Sequence, residues 1–118
     1  MKELKAFIRP ERLNILAENL KKSQYCCFTV FEGEGVGEYT DPETSYPSLK
    51  FPYLHNKVIK IEIVCNKEEV DEIIEIIKNH AHTGKRGDGL IYVSNIDYKV
   101  KIRTGERTNN SNMHSHKE

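Results

Sequence analysis

The run best suited to chemistry is Thr83-Gly84-Lys85-Arg86-Gly87-Asp88-Gly89, which follows a helical apolar pattern and leads straight into Leu90-Ile91-Tyr92-Val93. Three glycines within six positions, with two cations between them, suit a loop that curls round an anion. Glycine permits positive φ and close backbone approach, successive N–H groups converge on phosphate oxygens, and Lys85 and Arg86 supply charge. The short acidic side chain of Asp88 reads as closing the turn through backbone N–H groups rather than meeting phosphate itself. A second cationic stretch, Lys99-Val100-Lys101-Ile102-Arg103, runs into Thr104-Gly105-Glu106. Strand alternation would put Lys99, Lys101 and Arg103 on one face. The two stretches together predict one phosphate-binding site, each charge-assisted hydrogen bond contributing about 1.5–3 kcal/mol. The competing readings are a plain tight turn for the glycines and a sheet-surface ion pair for Lys99. No Ser–His–Asp arrangement, close metal cluster or placed carboxylate pair nominates catalysis, so neither an enzyme nor a metal site is expected. His80 and His82 read as helix-end groups, and His114 and His116 as tail residues with no specific role.

The elements that must position this site follow from periodicity. Leu4 to Ile8 reads as a strand, and Pro10 opens a helix in which Leu13, Leu16 and Leu20 recur at helical spacing. Residues 25–31 are rich in β-branched and aromatic side chains and read as a second strand. Val58 to Cys65 is the third, with Lys60 and Glu62 opposite Ile59, Ile61 and Ile63. Asn66 and Glu69 form a capping-box pattern before a helix whose apolar stripe is Val70, Ile73, Ile74 and Ile77, widened by Ile76. Strand, helix, strand, long loop, strand, helix, strand predicts an α+β sandwich: a four-stranded, mainly antiparallel sheet with both helices on one face. A short final strand is expected over Lys99 to Arg103. Residues 1–107 read as one domain and 108–118 as a polar tail. Strands 2 and 3 present apolar groups both ways, and self-association is the simplest cover for the open sheet face.

The segment at about 34–56 has neither period and is too long for a mere connection. Its aromatics Tyr39, Tyr46, Phe51 and Tyr53 predict a recognition loop for a partner protein, with the acidic first half steering and the aromatic second half anchoring. Charge is balanced overall at 18 cations and 18 anions in 118 residues, which argues against nucleic acid as a partner. It is segregated by segment. Residues 31–44 hold five carboxylates and no cation, whereas residues 83–107 hold six cations against three anions. The start lacks a secretory apolar core and no run spans a membrane, so the expected location is cytoplasmic. Cys26, Cys27 and Cys65 are odd in number and read as buried reduced thiols.

With Thr83-Gly-Lys-Arg-Gly-Asp-Gly and Arg103-Thr-Gly-Glu at this separation, the chain resembles the PII family of nitrogen and carbon signalling proteins over about residues 2 to 107. The resemblance implies a ferredoxin-like βαββαβ sandwich with an extra short C-terminal strand, assembled as a homotrimer with adenine nucleotide in the clefts between subunits. It implies nucleotide contacts from Gly35, Gly37, Thr83, Gly84, Lys85, Arg86, Gly87, Asp88, Gly89, Lys101 and Arg103. The long loop corresponds to the family's T-loop, which engages a target protein or membrane transporter. Departures from the family pattern refine this. Leu90 stands where typical members hold a phosphate-binding lysine, and Tyr39 where a glutamine joins the Mg-ATP and 2-oxoglutarate site. Lys101 replaces an arginine, Lys57 approximates the lysine near the loop's end, and Phe51 falls where other members carry a modified tyrosine, with Tyr53 two residues later. These favour ADP or AMP over ATP and leave Mg²⁺, 2-oxoglutarate and bicarbonate open as co-ligands. The run Thr29 to Gly33 looks more like the PII-like branch, whose members are associated with transporters or carbon metabolism. Two other classes stay open: a trimeric metal-binding protein of the CutA type, which shares the fold, and a slow nucleotide-hydrolysing enzyme.

Overall fold

Alternating apolar residues on the two central strands build a sheet with one buried face. The computed structural model describes residues 1–25 and 27–109. Strands β1 (Lys2–Ile8), β2 (Thr29–Gly35), β3 (Asn56–Cys65) and β4 (Leu90–Asn95) form one sheet in the order β2-β3-β1-β4. Every pairing is antiparallel, with Leu4 opposite both Ile63 and Val93, and Val30 opposite Ile61. Helices α1 (Leu13–Lys22) and α2 (Val70–Ala81) fill the two crossovers. Leu16, Leu20, Ile73 and Ile77 pack on Leu4, Ala6, Ile8, Ile59, Ile61 and Ile63 in one core. Each fully buried aliphatic side chain contributes about 1.5–3 kcal/mol, so this layer holds the sandwich together. The α+β sandwich expected from the order of elements, ferredoxin-like as the resemblance implies, is the one observed.

Local chemistry sets the helix ends. Pro10 begins a 3-10 turn, Pro10–Arg12, that leads into α1. The capping box is formed, with the Asn66 N–H donating to Glu69 Oε1 at 2.8 Å, and it opens a 3-10 turn, Lys67–Glu69, ahead of α2. At the end of α1, Gln24 takes a left-handed φ of 69° and the Tyr25 N–H returns to the Leu20 carbonyl at 2.8 Å. This closure corrects the second strand. Tyr25 is buried beneath the helix end and donates its hydroxyl to Glu72, and the second strand runs from Thr29 to Gly35 rather than from Tyr25.

The C-terminal segment also differs from expectation. Lys99 to Arg103 is not one strand. β5 (Tyr98–Val100) pairs with β6 (Arg107–Asn109), and Lys101 to Glu106 is the bend between them. The Gly105 N–H donates to the Lys101 carbonyl at 2.7 Å and the Lys101 N–H to the Glu106 carbonyl at 2.9 Å, with Gly105 at φ +73°. The turn preference of Thr104-Gly105 thus overrides the alternation before it. Thr108 and Asn109, expected in the tail, pair with Lys99 and Tyr98. His114, His116 and Cys26 lie outside the described residues. Cys65 is buried as expected and Cys27 is exposed, which corrects the reading of all three as interior thiols. Burial pushes the Cys65 thiol up to about 11. Among the described residues no helix is long and apolar enough to cross a membrane.

Candidate functional site

The glycine loop is built around one carboxylate. Asp88 accepts hydrogen bonds from the N–H groups of Thr83 and Gly84, both at 2.9 Å, and from the Thr83 hydroxyl. This is the turn-closing role read from the sequence, and it fixes Thr83 and Gly84 while Lys85 and Arg86 are exposed. Burial raises the carboxyl, but the Thr83 donors, Arg9 and the Gly84 N–H outweigh it and hold Asp88 well below the usual carboxylate range. Gly84, Gly87 and Gly89 all have positive φ. At Gly89 close packing on β1 decides the residue: a Cβ there would lie 1.7 Å from the Phe7 carbonyl oxygen. At Gly87 a Cβ would lie 2.8 Å from the Asp41 nitrogen, so the glycine loop rests directly on the base of the long loop.

Arg9, which the sequence reading missed, joins these parts. It sits one residue beyond β1 with its side chain only 11% exposed. Its Nε meets Asp88 Oδ1 at 2.9 Å, Nη1 meets Asp41 Oδ2 at 3.0 Å, and Nη2 donates to the Arg86 carbonyl at 2.8 Å. The planar fork of arginine serves three acceptors on two loops, which lysine could not. Asp41 is itself buried at 4% exposure. Its carboxylate accepts the Glu43 N–H at 2.9 Å and its own N–H reaches Asn56 Oδ1 at 2.7 Å. The Glu43 N–H and Arg9 hold the Asp41 carboxyl below its ordinary value. Although burial alone would lower it, the Arg9 guanidinium is raised further by Asp88 and Asp41 and stays charged.

The segregated charges of the sequence meet here. The acidic half of the long loop, read as steering a partner, also places carboxylates on cations of its own chain: Asp41 on Arg9, Glu43 on Lys85 at 3.7 Å, and Glu34 on Lys57 and on His55 Nε2 at 3.2 Å. Lys57 is raised by its bond to Glu34. The loop is folded rather than loose. Tyr46 and His55 exchange backbone hydrogen bonds at 3.0 and 3.1 Å, and the His55 ring lies 4.8 Å from that of Tyr46 and 5.0 Å from that of Phe51. Its exposed large apolar groups are Val36, Tyr46, Leu49, Tyr53 and Leu54.

Tyr39 points the other way. Gly35 and Gly37 lie at the end of β2 and in the following 3-10 turn, and that turn lays Tyr39 on Phe7, ring centroids 5.2 Å apart. Its hydroxyl shares a 2.6 Å hydrogen bond with that of Tyr92, which together with burial pushes Tyr39 up to about 12. Tyr39 therefore anchors the loop's base to its own sheet, apart from the exposed aromatics.

A groove of about 510 Å³ adjoins the glycine loop, walled by Ile8, Ile77, Ala81 and Ile91 and closed by Asp88 and Gly89. A second space, of about 520 Å³, lies between Arg86 and Gly87 on one side and Gly37, Thr40 and Pro42 on the other. Leu90 and His82 also line the first groove. His80 Nδ1 is 2.8 Å from the Ile76 carbonyl and the His82 N–H caps α2 on Lys78, so both belong to the helix end. Lys101 and Arg103 are exposed in the β5–β6 bend and line neither space.

Fold and site define a class: a ferredoxin-like α+β subunit carrying a long folded loop with a glycine-rich loop docked on its base. The sequence profile of nitrogen regulatory protein P-II matches residues 1–106, and the chain belongs to that family. It is 41% identical over 106 residues to nitrogen regulatory protein P-II 2 of Methanothermobacter thermautotrophicus, covering 90% of this chain and 92% of that one. Similar matches are nitrogen regulatory proteins P-II of Rhizobium meliloti, 35% identical, and Mesorhizobium japonicum, 37%, each covering 90% of this chain and 95% of the relative.

Proposed function

We propose that this P-II protein is a signalling regulator that binds adenine nucleotide, ADP or AMP in preference to ATP, and passes its occupancy to a target protein or membrane transporter through the long loop. The observation that carries the reading is an apolar groove ending at a glycine loop. In this reading a flat base lies between Ile8, Ile77 and Ile91, and the phosphates run past Gly89 towards Lys85, Arg86 and Gly87, the last two of which line the second space. The missing basic group at Leu90 favours fewer phosphates. Lys101 and Arg103 complete the site of a neighbour in a homotrimer, which also covers the open sheet face, where Phe31 and Tyr92 are exposed. Tyr46, Leu49, Tyr53 and Leu54 supply the apolar anchors for the target. The output is regulatory binding with no chemical turnover, acting in the cytoplasm.

Isothermal titration calorimetry with AMP, ADP and ATP, with and without Mg²⁺, 2-oxoglutarate or bicarbonate, tests this. Saturable ADP or AMP binding that is unaffected by 2-oxoglutarate supports the reading. Absence of nucleotide binding, or 2-oxoglutarate binding that requires Mg-ATP, overturns it. Light scattering on the same sample reads the trimer.

A further inference from the structure

The aromatic half of the long loop is built around one buried imidazole. The His55 side chain is 2% exposed, and its ring centroid lies 4.8 Å from that of Tyr46 and 5.0 Å from that of Phe51. Its Nδ1 is 2.6 Å from the Tyr53 carbonyl oxygen and its Nε2 is 3.2 Å from Glu34 Oε2 at the end of β2. Neither a carbonyl nor a carboxylate oxygen can donate a hydrogen bond. A neutral imidazole carries a single N–H, so each of its tautomers would set a bare ring nitrogen against an oxygen in a place closed to water. Only the imidazolium donates to both.

We propose that His55 is a proton-operated latch of the long loop: its imidazolium ties the Tyr53 carbonyl to Glu34 and so holds the loop's aromatic cluster on the end of β2, and loss of that one proton lets the cluster go. The latch is independent of whatever the glycine loop binds. Burial works against any charge at this position, but a neutral ring would exchange one of two hydrogen bonds for a lone pair pressed on an oxygen. The groups that face the ring decide the balance. Glu34 comes from β2, Lys57 from β3 and Tyr46 from the loop itself, with Glu32 acting on Lys57 from further along β2. Lys57 takes Glu34 Oε1 and leaves Oε2 to His55. The Lys57 side chain is 58% exposed, so water screens its charge, whereas the buried imidazolium meets the carboxylate unscreened. What the latch holds is specific. Tyr46 and His55 exchange both backbone hydrogen bonds, the Phe51 ring lies 5.5 Å from that of Tyr53, and Leu49, Tyr53 and Leu54 are exposed around them. Proton loss therefore loosens the bridge that gives this apolar surface its shape. The sign follows from linkage: the loop's order is complete where the imidazole of an opened loop would itself be charged, below about pH 6.5, and is lost as pH rises.

The test uses the full chain without ligand, beside the variant His55→Gln, whose amide can donate but does not titrate. Amide hydrogen exchange, corrected for the intrinsic effect of pH on exchange, is followed from about pH 5.5 to about pH 8.5. Protection of the amides at positions 46 and 55 is expected to fall about 10-fold or more over that range in the natural chain, the scale of losing one charge-assisted hydrogen bond, while the Ile61 amide in β3 keeps its protection. In His55→Gln the same two amides are expected to be less protected at the acid end and flat with pH. Nitrogen-15 spectra of the histidine rings, with His55 assigned by its absence from the variant, are expected to show both of its ring nitrogens protonated at about pH 6. Loop protection that does not change with pH, a pH dependence that survives in His55→Gln, or a neutral His55 ring at about pH 6 each overturns the proposal. If the variant does not fold, the His55 resonances are assigned by sequential labelling of the natural chain, and its ring spectrum and its exchange decide together.

Discussion

Arg9 Nη1 lies 3.0 Å from Asp41 Oδ2, joining a side chain at the end of β1 to one in the long loop 32 positions away, with both carboxylate and guanidinium nearly shut off from solvent. Removing one partner of such a pair leaves an unbalanced buried charge. Arg9→Gln is therefore expected to destabilise the fold by about 3 kcal/mol, with Arg9→Lys recovering only part because a single ammonium cannot serve Asp41, Asp88 and the Arg86 carbonyl together. Urea unfolding of the three proteins measures this; a Gln variant as stable as the natural chain would show that the bridge is ornamental.

Two glycines with positive φ should respond very differently to alanine. At Gly89 the added methyl would meet the Phe7 carbonyl at 1.7 Å, so β4 must leave β1 to make room. At Gly105 nothing lies within 4 Å, and only the backbone preference opposes substitution. Gly105→Ala is expected to cost about 1 kcal/mol and Gly89→Ala well above 3 kcal/mol, enough to lower soluble yield. Thermal unfolding of both variants decides, and similar losses would mean the β1–β4 contact is softer than its geometry.

Asp88 gives the junction an acid dependence of known sign. Its carboxyl is depressed in the fold by Thr83, Arg9 and the Gly84 N–H, against the opposing effect of burial. A depressed acid contributes stability that is complete above its unfolded value, about 3.9, and is lost as pH falls through the folded value. Stability of the natural chain should thus drop between pH 4 and lower pH with a slope that Asp88→Asn lacks, the variant starting lower at pH 7. Acid titration followed by circular dichroism reads the two slopes, and parallel curves would remove Asp88 as the cause.

Much of this was legible because it is local. Ile59, Ile61 and Ile63 alternate into the core, Asn66 and Glu69 cap α2 three residues apart, and the glycines of residues 84–89 bend where Asp88 can reach back. What escaped was long-range or rested on competing local signals. Tyr25 has strand chemistry but is captured by the end of α1, and the alternation of Lys99 to Arg103 yields to the turn at Gly105. Arg9 carries no motif, and its partners are 32 and 79 positions distant. A signal did exist. Antiparallel register pairs Phe7 with Leu90, and continuing it by two residues brings Arg9 opposite Asp88. The register follows only once β1 and β4 are known neighbours. The intrachain pairs of Glu34, Asp41 and Glu43 escaped for the same reason, since the charge pattern is visible but the cations that answer it come from other elements.

Leu90 is the residue on which ligand choice should turn. It opens β4 directly after Gly89, pairs with Phe7 and lines the groove beside the glycine loop, which is where the proposed nucleotide reading runs its phosphates. An aliphatic group there offers no counter-charge, and a terminal phosphate placed against it would lose water without gaining a donor. Leu90→Lys supplies one charge-assisted contact, worth about 1.5–3 kcal/mol, and should raise ATP affinity by about 10-fold or more while changing AMP affinity by less than about 3-fold. The residue is half-buried on the sheet surface, so the flexible lysine stem can replace leucine's packing while its ammonium reaches the groove. Parallel calorimetric titrations with AMP, ADP and ATP give the ratio directly. A uniform change across all three nucleotides would place the added charge outside the phosphate path and leave the preference for fewer phosphates without its structural cause.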